Sequence, residues 1–432
     1  MIRRAPRLAA RFLAVVALAA ATPGVALAHA ALLHTSPKAG ATVSAVTQIR
    51  LVFSEEMAAD LCHVGLMTPE GAHVDLKVVS DPHDVHAILA PVENLSPGKY
   101  HVMWHAVSAD GHPVSGEFSF TLEGKTAAPV SAAAPNAVTP SSTAAAVAED
   151  SAALAGTQNQ FPVAAAIARG IGVTALLSLA GLLVFAGKNA RIRPDEYRSP
   201  ARSLAVVAFI ALAAHLVLWD RYVLPGGMFA SASWESMLAS HPGRLELMRV
   251  VAALLALVAV FTTSARMAAL FFAAAGIVLT ALIGHPAATI PLLLVPATLV
   301  HLCAVAVWAG GLFSLIVMRR GEPDTFRTQA FLVSRVALVA IIITGLTGLF
   351  QAAFLLRVPA DLLGTAYGRL VVAKIAGLLA LGGFGAYHRF GVLPVLPGAR
   401  QKGMALSLRY EMMVMSLVII VAAFLSYTPL PR

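Results

Sequence analysis

The sequence predicts two unlike folds in one chain. The first is an all-β sandwich of immunoglobulin-like size. The second, reached through a flexible linker, is an all-α polytopic membrane bundle of about eight transmembrane helices. Three observations predict this. Residues 29–125 hold short strand-like runs separated by turn signals. Residues 126–160 are almost entirely Ala, Pro, Ser, Thr, Val and Asn, the composition of a flexible spacer. From residue 161 onward the chain is dominated by apolar stretches near the 20 or so residues that a bilayer span needs.

The composition agrees. Of the 432 residues 58% are hydrophobic and only 12% charged, against about 25% charged in a soluble domain. A chain this apolar is not an ordinary cytosolic enzyme. Its net charge of +9 would point to nucleic acid in a soluble protein, but here it follows membrane topology. Cys62 and Cys303 fall in different regions and rule out a disulfide framework or a four-cysteine zinc site.

The N-terminus reads as a secretory signal over residues 1–28. Arg3, Arg4, Arg7 and Arg11 precede the apolar run Phe12 to Ala21, and Ala26-Leu27-Ala28 fits the small-x-small cleavage rule. Cleavage there makes His29 the first residue of the mature chain. In the sandwich, Ser36-Pro37-Lys38-Ala39-Gly40, Pro69-Glu70-Gly71, Ser96-Pro97-Gly98 and Asp110-Gly111 mark turns. The runs Gln48–Phe53 and Glu117–Leu122 alternate apolar with polar residues, the period of a half-buried strand.

Eight apolar stretches follow, near 163–187, 203–223, 245–264, 267–284, 291–318, 331–356, 369–387 and 411–428. With the sandwich outside the cytoplasm, the inner connections carry most of the basic residues, among them Lys188, Arg191, Arg193, Arg319, Arg320, Arg400 and Lys402. That is the sense of the positive-inside rule. The 29–125 segment beneath that basic average is acidic.

Histidines concentrate in the exported part. Of 14 in the chain, nine lie between 29 and 112: His29, His34, His63, His73, His83, His86, His101, His105 and His112. Most read as surface residues with no common site. His29 differs, because a mature N-terminal histidine offers an α-amine and an imidazole Nδ1 together. Asp110-Gly111-His112 adds a carboxylate and a second imidazole, which face the same way if the segment is extended. Amine, two imidazoles and a carboxylate suit tetragonal Cu(II).

These residues carry a resemblance. His29, His34-Thr35-Ser36-Pro37-Lys38-Ala39-Gly40, Leu51-Val52-Phe53-Ser54-Glu55 and Ser108-Ala109-Asp110-Gly111-His112-Pro113-Val114-Ser115-Gly116 resemble the CopC family of periplasmic copper-binding β-sandwiches. The resemblance implies a Cu(II) site at His29, Asp110 and His112, with Glu55 as a supporting carboxylate. The Met-rich Cu(I) segment of some relatives is missing, since Met57, Met67 and Met103 are scattered. The membrane part resembles the CopD family through His301-Leu302-Cys303-Ala304-Val305-Ala306-Val307-Trp308-Ala309-Gly310-Gly311, Thr344-Gly345-Leu346-Thr347-Gly348 and Tyr367-Gly368-Arg369-Leu370-Val371-Val372-Ala373-Lys374. That family is associated with copper uptake across the bacterial inner membrane.

In the membrane part His301 lies about 13 Å into its span at 1.5 Å per residue, the depth at which a histidine is a functional candidate. Gly310-Gly311 permits close approach of another helix. His285, His215, Met228, Met237 and His241 complete a candidate path for copper, with thioether and imidazole donors suited to Cu(I). The expected function is capture of Cu(II) outside the cytoplasm followed by import, by a non-enzyme whose partners are copper ions, the lipid bilayer and other periplasmic copper carriers, with no nucleic acid. The alternatives are a membrane-tethered copper or haem redox enzyme, and a copper store or sensor without net transport.

Overall fold

The computed structural model describes residues 31–123, 157–158, 162–188, 194–224, 231–262, 266–318, 322–395 and 400–431. The signal segment, His29, Met228 and all of the 126–160 linker except Thr157–Gln158 lie outside the described residues. The chain divides into two compact units, residues 29–160 with 220–243, and residues 161–219 with 244–432.

The first unit is a two-sheet sandwich. Its strands are β1 (Leu32–Ser36), β2 (Thr42–Val43), β3 (Gln48–Phe53), β4 (His63–Met67), β5 (His73–Leu76), β6 (Val79–Asp81), β7 (Asp84–Pro91), β8 (Gly98–Val107), β9 (Pro113–Leu122) and β10 (Thr157–Gln158). One sheet has the order β1-β3-β7-β6; the other runs β10-β9-β8-β4-β5, with β2 added parallel to β9. The alternation read from the sequence becomes the core. Ile49, Leu51 and Phe53 face inward from β3, and Phe118, Phe120 and Leu122 from β9. Phe53 meets Trp104 edge to face at 5.5 Å between centroids, joining the two sheets.

β8 and β9 pair without a break from Gly98↔Leu122 to Val107↔Pro113, so residues 108–112 close the hairpin at one end of the sandwich. This unit also takes in residues 220–243, which hydropathy alone reads as a connection between membrane stretches. There α3 (Ser231–Ala239) packs on the 3-10 turn Ala59–Leu61, and a ring nitrogen of His105, Nε2, lies 2.7 Å from the carbonyl of Val223.

The second unit is helical: α1 (Val163–Lys188), α2 (Pro194–Val223), α4 (His241–Phe261), α5 (Arg266–Ala281), α6 (His285–Thr289), α7 (Pro291–Met318), α8 (Pro323–Leu355), α9 (Asp361–Gly364), α10 (Ala366–Ala386) and α11 (Arg400–Leu425). Among the described residues six helices are long and apolar enough to cross a membrane, not eight. They are Val163–Ala186, Tyr197–Val223, Pro291–Met318, Pro323–Leu355, Ala366–Val395 and Leu406–Leu425. The other two stretches depart for physical reasons. α4 carries Arg244, Glu246 and Arg249 in its first half. α5 has 16 residues, about 24 Å, short of a hydrocarbon core of about 30 Å.

α1 is central, with 78% of its span buried, and packs against α7, α11 and α5. Its crossing with α7 is backbone on backbone. A Cβ built on Gly310 would overlap the main chain of Gly181 and Leu182, and one on Gly181 would overlap that of Ala306 and Gly310. The close approach expected of Gly310-Gly311 is therefore made, with Gly181 as the partner.

Candidate metal centre

The end of the sandwich is assembled by short-range pairing of three segments. Ala31 and Ser54 bond reciprocally: Ala31 N–H donates to Ser54 Oγ at 2.9 Å, and Ser54 N–H to Ala31 O at 2.9 Å. The chain just past Ser54 then runs beside the β8–β9 connection. Ala109 N–H donates to Glu56 O at 2.8 Å, Ala58 N–H to Val107 O at 2.8 Å, and Met57 pairs with Ser108. The backbones bearing Ala31, Glu55 and Asp110 thus converge. His29 lies outside the described residues, but it is two residues from Ala31, a reach of about 7 Å.

Within the connection, Asp110 and His112 meet. His112 Nδ1 is 2.8 Å from Asp110 Oδ1, and the same oxygen accepts from Ser108 Oγ at 2.5 Å. Side-chain exposure is 4% for His112 and 9% for Asp110, so the pair is held away from water. A carboxylate only accepts, so Nδ1 carries the proton and Nε2 the lone pair. That tautomer is the one a metal-ligating histidine adopts with a carboxylate behind it.

The pair does not form in the way the spacing implies. Residues 108–112 are not extended. Ser108 N–H donates to His112 O at 3.0 Å and Gly111 N–H to Ser108 O at 2.9 Å. Gly111 has φ +92°, a region costly to residues with a Cβ. Turn geometry, not strand alternation, brings the two side chains together. Gly111→Ala is expected to lower sandwich stability by about 1–2 kcal/mol and to weaken copper binding in parallel. Denaturant unfolding with a copper titration on the same sample checks both effects.

The other candidate residues of the sandwich differ in exposure. Glu55 is half-buried after β3. His63, His73 and His101 are exposed on strands of the larger sheet, and burial lowers the pKa of the half-buried His105. Cys62 is a free thiol pushed up to about 12 by burial, so it stays protonated at neutral pH and is no thiolate ligand. Met237, expected on the copper path, is a core residue, 1% exposed. His241 is exposed at the start of α4.

In the helical unit the three candidate histidines have different fates. His301 is half-buried, with Nδ1 2.9 Å from Thr347 Oγ1. Thr347 donates its hydroxyl proton to Ile343 O at 2.7 Å, so it accepts from Nδ1–H and the lone pair of His301 sits on Nε2. The buried His285 donates from Nε2 to Thr428 O at 2.9 Å and packs edge-on to Tyr367.

His215 is locked. Its Nδ1 accepts from Arg249 Nη2 at 3.0 Å and its Nε2 donates to Tyr427 Oη at 2.6 Å. Arg249 also bonds Glu246, and Arg169 lies 3.7 Å from the same carboxylate. With both nitrogens engaged, His215 serves this buried network as it stands. Sequence reasoning passed over Arg169, Glu246 and Arg249, although charges inside apolar stretches are a legible signal.

Comparison with known proteins now bears on this geometry. Residues 32–123 match the CopC domain family, and residues 327–425 match the family described as copper resistance protein D, CopD. Protein YobA of Escherichia coli (strain K12) is 34% identical over 114 residues, 26% of this chain and 91% of that protein. This chain belongs to the CopC family. Copper resistance protein C of Escherichia coli is 31% identical over 106 residues, 23% of this chain and 84% of that protein. The copper transport protein CutJ of Bacillus subtilis (strain 168) is 26% identical over 444 residues, spanning 95% of this chain and 76% of that protein. The Asp110–His112 turn lies within the CopC match, whereas His215, His285 and His301 all precede the CopD match.

Proposed function

We propose that this protein captures Cu(II) outside the cytoplasm on His29, Asp110 and His112, and imports copper through its helical unit across the bacterial inner membrane. The observation that supports the reading is the convergence of the Ala31–Ser54 pair with the buried Asp110–His112 turn, because it brings the backbone two residues past His29 to the segment that holds the paired carboxylate and imidazole. Glu55, on the intervening segment, supports it. The likeness to a copper transport protein along nearly the whole chain supports transport over storage. The loop charges support an orientation with the sandwich outside. Copper is cargo here, and no reaction on an organic substrate is invoked. Eight crossings are retained in this reading, with α4 and α5 as the short members. His301 and His285 stand on the inward route.

Copper uptake into proteoliposomes of the full-length protein tests it. A variant secreted with one extra alanine ahead of His29 loses the chelating amine. At limiting copper its uptake is expected to fall at least tenfold. Equal uptake by the two proteins would remove the N-terminal site from the route.

A further inference from the structure

Past its last α-helical residue, Ala386, α10 continues as a π-helical turn, Tyr387–Val392, followed by the 3-10 turn Leu393–Val395. Such turns are rare and concentrate where a side chain must be aimed. This one holds His388 at 6% exposure. His388 Nδ1 lies 3.1 Å from Glu411 Oε2, and Nε2 lies 2.9 Å from Ser407 Oγ, both on α11. His388 and Glu411 line a cavity of about 270 Å³ bounded by α7, α8, α10 and α11, together with Met404 and Trp308. Trp308 Nε1 has no hydrogen-bond partner among the described residues. A purely structural ion pair needs neither the cavity nor a thioether in its lining.

We propose that His388, Glu411 and Met404 form an inner copper site, from which the ion leaves at the end of the bundle where α7 joins α8 and α10 joins α11. This deepens the transport reading and rests on it, since the basic connections put that end on the cytoplasmic side. The donors are one imidazole, one thioether and one carboxylate. The first two suit Cu(I). The third cancels its single charge, so the loaded site is neutral and the cost of burying an ion falls. The metal takes the place of the proton between Nδ1 and Glu411; the ring keeps its single proton on Nε2, which donates to Ser407 Oγ at 2.9 Å, so the imidazole stays neutral. Nearby cations do not neutralise Glu411 instead. Arg389 turns to Ser334 Oγ at 3.4 Å, and Arg409 is exposed.

The test uses the full-length protein and Ag(I), a redox-inert stand-in for Cu(I), titrated against competing free histidine. His388→Asn keeps an amide facing Glu411 but is a poor metal ligand. Met404→Leu keeps the core volume and so guards against misfolding. In His388→Asn the number of tightly bound Ag(I) ions is expected to fall by one. In Met404→Leu one site is expected to weaken at least tenfold. Both variants should lose copper uptake while Cu(II) binding at the outer site is unchanged. Wild-type Ag(I) binding in both would overturn the site, and loss of one ion with full uptake would overturn its place on the route. If the wild type itself moves no copper while His388→Asn still loses one ion, the transport reading fails and the site stands.

Discussion

In the double variant Asp110→Ala, His112→Ala, Cu(II) affinity of the full-length protein falls by at least about 100-fold in a competition titration. In the proposed site the substitution removes two members of the set, the His112 imidazole and the Asp110 carboxylate bonded to it, and leaves only His29. Loss of an orienting partner by itself costs about 10–100-fold, so losing the ligand as well exceeds that range. The hairpin end itself survives, because Ser108 and His112 are tied through their backbones. Asp110→Asn separates the two contributions. Its amide is neutral and can donate to the ring, so the proton on Nδ1 is no longer enforced, and a drop within the 10–100-fold range is expected. Undiminished affinity in the double variant would show that copper binds elsewhere.

Gly310→Ala should be among the most damaging single methyls in the helical unit. The atoms it meets belong to the main chain of Gly181 and Leu182, so no rotamer change relieves the overlap and α1 and α7 must separate. Overpacking costs about 1–3 kcal/mol where side chains can shift. With backbone on both sides, about 3 kcal/mol or more is expected, seen as a lower melting temperature and poor recovery of monodisperse protein. Gly383→Ala is the matched control, because a Cβ there meets nothing within 4 Å. Equal melting of the two variants would refute the argument.

The fold was legible where one local rule dominated. Alternation in Gln48–Phe53 and Glu117–Leu122 identified two core strands because each buries a single face. The two-residue β2 and β10 leave no such pattern, since their pairing is supplied by β9. Apolar length located the long helices but not the short α3, α6 and α9, and it overcounted the spans, because a run around Glu246 and Arg249 reads as membrane once flanking residues are included. The Asp110–His112 pair was legible by spacing, yet its mechanism was not, since nothing in the tripeptide separates an extended segment from a turn with Gly111 at positive φ. His215 and Arg249 meet 34 residues apart, and no local pattern shows that both ring nitrogens of that histidine are spoken for. His388 was missed for the same reason: a π turn has no sequence period to betray it.

The reciprocal bond between Ala31 and Ser54 has a consequence for turnover. β1 is an edge strand of its sheet, and an edge strand next to a chain end is among the segments that open at low free energy. A copper ion held by both His29 and His112 would rivet that edge to the β8–β9 connection of the opposite sheet. Ligand at 100 times its dissociation constant adds about 2.7 kcal/mol to the closed form. Empty copies would then offer their N-terminal strand to proteases about a hundred times more often than loaded ones, and metal supply would set the lifetime of the protein that collects it.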